Sequence, residues 1–267
     1  MGDVGVVTPT QRAVAKTIAT RCAADPCDAV LVLGDLLYPS GPDGPDDPRL
    51  DEVLGPYVHE PTPVWLVAGN HDHGQRGRDA PVDAEIAWAA AHGAVFPAPD
   101  WRARLGDVDL WAIDTDRVFW GAAPDATLDA TLAASTARWR IGFGHHPIRS
   151  QGPHGNAGAY EGHAWIPWYS GRALGDFFAR RICGKVDLWL AGHDHVRELL
   201  PANDVCLTAL IVSGAGAHGT AVVDRGNAAT FASAEAGFVE LELADDAKVT
   251  FVRADGTEDG HFRVPHR

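Results

Sequence analysis

The chain is short of positive charge: 22 Lys and Arg stand against 36 Asp and Glu, a formal charge of −14. Such a surface repels polyanions, which argues against nucleic acid or an anionic membrane as partner. No run of about 18 apolar residues is present, which excludes a membrane-spanning helix. No signal peptide is visible. There is no linker, internal repeat or low-complexity stretch, so one domain over residues 1–267 is expected. The four cysteines, Cys22, Cys27, Cys183 and Cys206, have no zinc-site spacing. They read as two disulfides, 22–27 and 183–206, with four reduced buried thiols as the alternative. Paired cysteines predict a periplasmic or secreted protein. The chain nevertheless opens directly on Gly2-Asp3, so its natural start is expected upstream.

Aromatic and apolar residues are plentiful. Nine Trp in 267 residues suit a packed core with some aromatic surface near a site. Residues 29–33, 64–68, 139–143 and 186–191 are short apolar runs, as in strands buried on both faces. A fifth run, 207–212, leads into Ser213-Gly214-Ala215-Gly216. Helical periodicity covers 11–22, 83–92, 128–137 and 170–183. Residues 238–243 and 248–253 alternate like antiparallel strands. Segments 39–48 and 150–162 read as loops. Strand alternating with helix argues for an α/β fold whose active site gathers at strand carboxyl ends.

Four polar clusters fall at those ends: Gly34-Asp35-Leu36-Leu37-Tyr38, Gly69-Asn70-His71-Asp72-His73, Gly144-His145-His146-Pro147 and Gly192-His193-Asp194-His195. A fifth, Gly2-Asp3-Val4-Gly5, opens the chain. Each alone is ordinary, since a strand-end Asp is commonly a cap and a lone His a surface residue. His59, His92, His261 and His266 are read so. In combination they offer ligands for two metal ions, because a carboxylate can bridge while imidazole and amide oxygen complete the shells. His193 and His195, two apart on an extended segment, should point the same way. The preceding glycines let the backbone turn sharply and approach the ions. Asp72 and Asp194 suit the orientation of neighbouring imidazoles.

In this order the motifs resemble those of the calcineurin-like metallophosphoesterases, and most closely the small, tartrate-resistant type of purple acid phosphatase. The resemblance runs from Asp3 to about Gly216. It implies a four-layer αββα sandwich of two mixed sheets flanked by helices, with the first strand expected to be missing and Asp3 loosely held as a result. It implies that Asp3, Asp35, Tyr38 and His195 hold ferric iron. Asp35 would bridge to a divalent Fe, Zn or Mn held by Asn70, His145 and His193. His71 would contact the substrate phosphate and assist the leaving group, with Asp72 orienting it, and His146 is a further candidate for substrate contact. Segment 152–168, with His154, Asn156, Tyr160, Glu161, His163 and Trp165, is either a specificity loop or ordinary decoration. The activity implied is hydrolysis of a small phosphate monoester by a metal-activated hydroxide. The alternatives are a phosphodiesterase or nucleotide hydrolase on the same site, and a non-catalytic metal-binding module. Oligomeric state is not legible.

Overall fold

The computed structural model describes residues 1–59, 61–74, 82–166 and 168–266. Its helices are α1 (Pro9–Ala24), α2 (Pro48–Leu54), α3 (Val82–His92), α4 (Thr115–Phe119), α5 (Leu128–Ala134) and α6 (Arg172–Phe177), the last running into a π-turn at Phe178–Ile182. Its strands are β1 (Val30–Leu33), β2 (Val64–Val67), β3 (Trp101–Leu105), β4 (Val108–Ile113), β5 (Trp139–Gly144), β6 (Leu188–Ala191), β7 (Arg197–Leu200), β8 (Ala209–Ser213), β9 (Phe231–Ser233), β10 (Gly237–Leu243), β11 (Asp246–Arg253) and β12 (Glu258–Pro265).

Seven strands form one mixed sheet in the order β3-β4-β5-β6-β8-β7-β9. Neighbours β4, β5, β6 and β8 run parallel, while β3, β7 and β9 pair antiparallel. Period-two alternation sends adjacent residues to opposite faces. Leu110, Ala112, Leu188 and Leu190 join the core shared with β1, β2, β10 and β11. Trp111, Ile113, Trp189 and Ala191 instead pack under α4, α5 and α6. Both faces of the sheet are therefore apolar, which is why these strands read as continuous hydrophobic runs. This is the expected metallophosphoesterase architecture.

The smaller β layer comes in two pieces, a parallel β1–β2 pair and an antiparallel β10–β11–β12 meander. The N-terminus fills the seam between them. Met1 donates to Leu31 O at 2.9 Å and accepts from Leu33 N at 2.8 Å. Gly2 N donates to Ser213 O and Gly2 O accepts from Gly216 N, while Gly237 N donates to Ala215 O. Three residues thus stand where a first strand was expected to be missing. Asp3 is only 1% exposed, so the loosely held terminus does not occur.

Local chemistry explains the element ends. Thr8 caps α1 by accepting from Gln11 N, with Pro9 in the first turn, where a missing N–H costs nothing. Cys22–Cys27 closes the turn after that helix and Cys183–Cys206 ties the end of the π-turn to the entry of β8. The β3–β4 hairpin was not anticipated. Arg102 and Arg104 alternate with its apolar residues because β3 is an edge strand with one face in water.

Candidate metal centre

The carboxyl ends of β1, β2, β5 and β6 deliver the four clusters to one place. Among the described residues only four other than glycine have positive φ: Asp3 (60°), Asp35 (52°), His193 (69°) and Glu161 (57°). Three of them were read from sequence as ligands. A non-glycine residue held there costs on the order of 1–3 kcal/mol, and such strain concentrates at functional sites. The expectation that His193 and His195 sit on an extended segment is therefore corrected: His193 is left-handed, and a turn brings both rings to the site. The adjoining glycines allow the close approach. At Gly34 (φ 83°) a Cβ would lie 2.7 Å from His145 Nδ1, and at Gly69 it would run into the backbone and carboxylate of Asp35.

Asp35 is central. With Asp3 and His145 it forms a buried group whose ligand atoms all lie within 4.8 Å of one another. To one side lie Asn70, His145 and His193. His145 Nδ1 donates to Leu33 O at 2.9 Å, which turns Nε2 toward Asn70 Oδ1 (3.0 Å) and His193 Nδ1 (3.2 Å). His193 Nδ1 is also 3.1 Å from Asn70 Oδ1. Burial, together with the neighbouring imidazoles of His154 and His146, keeps His193 well below its usual range, hence neutral. The amide oxygen of Asn70 and the nitrogens of His145 and His193 thus converge on one point, as a metal's ligands do.

To the other side lie Asp3, Tyr38 and His195. Tyr38 donates from Oη to Asp35 Oδ2 at 2.7 Å, and the same oxygen is 3.2 Å from both Asp3 Oδ1 and His195 Nε2. Asp3 Oδ2 accepts from His193 N at 2.9 Å, and His195 Nε2 is 3.3 Å from Asp3 Oδ1. Burial alone would raise Asp3, yet His195 and His145 hold its carboxyl below the ordinary range. Burial alone would lower His145 and His195, yet Asp35 and Asp3 hold both up. Burial and the two carboxylates push the Tyr38 phenol far up. A field that favours protons on imidazole is one that favours bound cations. The donor set fits two ions with Asp35 between them.

One participant was missed. His218 Nε2 sits 2.8 Å from His195 Nδ1, fixing the ring that presents Nε2 to the site. Such partners orient metal-binding imidazoles and set their basicity. The sequence offered one hint, a histidine two residues beyond Ser213-Gly214-Ala215-Gly216.

His71 stands beside these candidate ligands. Its Nδ1 lies 2.7 Å from Pro39 O and its ring rests 4.3 Å from that of Tyr38. Nε2 faces the site, 4.0 Å from Asp35 Oδ2. Asp72 does not orient it. Its carboxylate accepts from the backbone N–H of Leu36, Leu37 and Gly69 at 2.7 to 3.1 Å, tying the loops after β1 and β2. Each such charge-assisted bond contributes about 1.5–3 kcal/mol. Behind it Glu85 is fully buried, and burial with the Asp72 charge holds its acid well above the usual range. Asp194 likewise accepts from backbone, His154 N and Gly155 N. His146 is buried beneath His193, ring centroids 4.4 Å apart, and its Nδ1 is 2.9 Å from the Thr115 hydroxyl.

The segment after β5 belongs to the site's rim. His154 stacks on His193 at 4.2 Å and bonds Glu161, and Tyr160 lies 5.8 Å from His193. Glu198 on β7 accepts from Gln151 N, and Gln151 Nε2 donates to Asn227 O. The carboxylate of Glu198 and the main-chain oxygen of Asn227 thus hold the loop that carries His154.

Comparisons with known proteins identify the family and the fold. The calcineurin-like phosphoesterase family matches residues 1–197. Purple acid phosphatase 3 of Arabidopsis thaliana is 28% identical over 66% of this chain and 51% of its own length. Tartrate-resistant acid phosphatase type 5 of Homo sapiens is 25% identical, covering 100% of this chain and 90% of that protein. The chain spans about half the length of the first of these relatives. Among solved structures, GAP50, described as the anchor in the inner membrane complex of Plasmodium, superposes with a TM-score of 0.76 at 20% identity, covering 100% of this chain and 87% of that one. At that identity the likeness is one of fold.

Proposed function

The chain belongs to the calcineurin-like phosphoesterase family, and from that premise we propose that it is a phosphatase of the purple acid type. Its reaction is the hydrolysis of small phosphate monoesters at a pair of cations held around Asp35. The observation that carries this reading is the convergence of Asp3, Asp35, Tyr38, Asn70, His145, His193 and His195 on one cage, with Tyr38 Oη inside the ligand ring. A phenolate is a hard anionic donor suited to Fe(III), which favours iron beside Tyr38 and a divalent Fe, Zn or Mn on the Asn70 side. Such a pair supplies Lewis acidity toward phosphoryl oxygens and acidification of water.

The protein's own groups do the rest. His71 has Nδ1 engaged with Pro39 O, so Nε2 is the atom that binds a phosphoryl oxygen and, when protonated, hands its proton to the departing alkoxide. The stacked rings of His154 and His193 wall the Asn70 side against water. Two disulfides favour an oxidising compartment, periplasmic or extracellular. The net charge of −14 favours a small phosphorylated substrate over nucleic acid or membrane.

Metal-loaded protein should release phosphate from a generic aryl phosphate. His71→Ala should retain metal and lose about 10²–10⁴-fold in turnover. Absence of turnover from pH 4 to 9 with both positions filled ends this reading.

A further inference from the structure

The large sheet ends at β3, and the outer edge of that strand is open. A two-residue connection, Gly106-Asp107, joins Leu105 to its register partner Val108, and Gly106 holds φ 56°, as the first central residue of a type II′ turn does. In such a hairpin the residues flanking the turn exchange both main-chain bonds, and the pattern alternates from there. Trp101, Ala103 and Leu105 therefore bond β4, while Arg102 and Arg104 turn their N–H and C=O groups outward. Among the described residues no main-chain bond from outside the hairpin reaches either arginine.

The side chains match this edge. By period-two alternation Arg102 and Arg104 share one face, the face turned to α5. A cavity of about 360 Å³ lies there, lined by Arg102, Arg104, Asp109, Thr131, Ser135 and Thr136. Asp109 is engaged by the Ser135 hydroxyl at 2.6 Å, and Arg104 lies 3.6 Å from Asp107 and 3.7 Å from Asp109. Arg102 has no ion-pair partner among the described residues, in a chain with 36 acidic side chains. Charge alone is enough to protect an exposed edge; here it stands beside a recess of ligand-binding size. A second copy of β3, laid antiparallel in register at Ala103, would set arginine against arginine, and like charges directly opposite repel. The edge thus rejects its own kind and favours carboxylates.

We infer that β3 is a docking edge for an extended acidic segment of another protein, which adds to the seven-stranded sheet as one further strand. Main-chain bonds to Arg102 and Arg104 supply affinity. Acidic side chains at alternate positions of the segment, directly opposite the two guanidiniums, supply selectivity. The net charge of −14 opposes an acidic partner only at long range, and physiological salt screens that repulsion beyond about 8 Å. At contact the two arginines decide. None of the residues lining this edge is a candidate metal ligand, so the surface is separate from the cage and independent of the phosphatase reading.

The probe is a fluorescein-labelled peptide of alternating glutamate and valine, titrated into metal-loaded protein with inorganic phosphate present to occupy the cage. Its anisotropy should rise to saturation, and the glutamine–valine counterpart should bind about fivefold to tenfold more weakly. N-methylation of the glutamates removes the donors to the arginine carbonyls and should abolish binding without any change to the protein. The double substitution Arg102→Glu, Arg104→Glu should abolish it as well. Absence of saturable binding overturns the docking edge. So does equal affinity for the two peptides, or binding that survives either N-methylation or the double substitution.

Discussion

On one side of Asp35, the candidate ligands Asn70, His145 and His193 are backed by main chain and buried rings. His145 leans on Leu33 O, and His193 is covered by His146 and His154. On the other side, Asp3 comes from three residues threaded through a seam, Tyr38 from a half-buried loop, and His195 leans on the exposed imidazole of His218. In the first half the ring of His145 is anchored on a main-chain carbonyl, and in the second the ring of His195 is anchored on a side chain in contact with solvent. The proposed binuclear cage would thus combine an imidazole whose anchor no substitution removes with one open to tuning.

The most damaging way to break this comparison is to remove what both halves share. Asp35→Asn should lose metal from both positions and reduce turnover on the order of a thousandfold or more, read by elemental analysis alongside phosphate release. If one full equivalent of metal stays tightly bound, the halves do not meet at Asp35. His218→Ala should weaken metal binding about 10–100-fold on the His195 side only, and His218→Gln, whose amide oxygen can still accept, should recover most of it. Equal loss at both positions in chelator competition would contradict a division into halves. Tyr38→Phe should abolish a visible charge-transfer band of the iron-loaded protein while sparing the metal bound at the Asn70 side.

The smallest expected effect concerns the loop over the buried half. Burial and the nearby Asp194 raise Glu198 from the ordinary carboxyl range to about 7, against the pull of the Gln151 N–H. The folded protein therefore binds a proton that the unfolded chain releases near pH 4.5. That stability is present below pH 4.5 and declines as pH rises to about 7, by up to about 3 kcal/mol. Glu198→Gln should flatten this slope in thermal melts taken across that interval, and an unchanged slope would assign it to another group.

Legibility in the sequence depended on strand ends. Asp35, Asn70, His145 and His193 follow apolar strands, and a strand buried on both faces announces its own end, so these candidates could be named. His218 follows no such boundary run, and its role exists only because a turn brings it to His195. Asp72 was identified as part of the site, but a carboxylate next to a histidine looks the same in sequence whether it serves the imidazole or gathers backbone amides. Asp3 is held by Gly34 O and His193 N, and Gly2 before it by Ser213 and Gly216, partners up to some two hundred positions away, and nothing local to the first residues could disclose them. The β3–β4 hairpin was hidden because one face of its edge strand carries arginines into solvent.

Asp72 draws together the peptide groups of two separate loops by bonds that involve none of the ligand atoms. The receptacle thus takes its shape during folding, and the entropy of ordering those loops is settled before any ion arrives. Loading the cage then asks a cation to surrender hydration water and the site to release the protons on its phenol and imidazoles, so one ion can replace another by ligand exchange while the surrounding chain keeps its form.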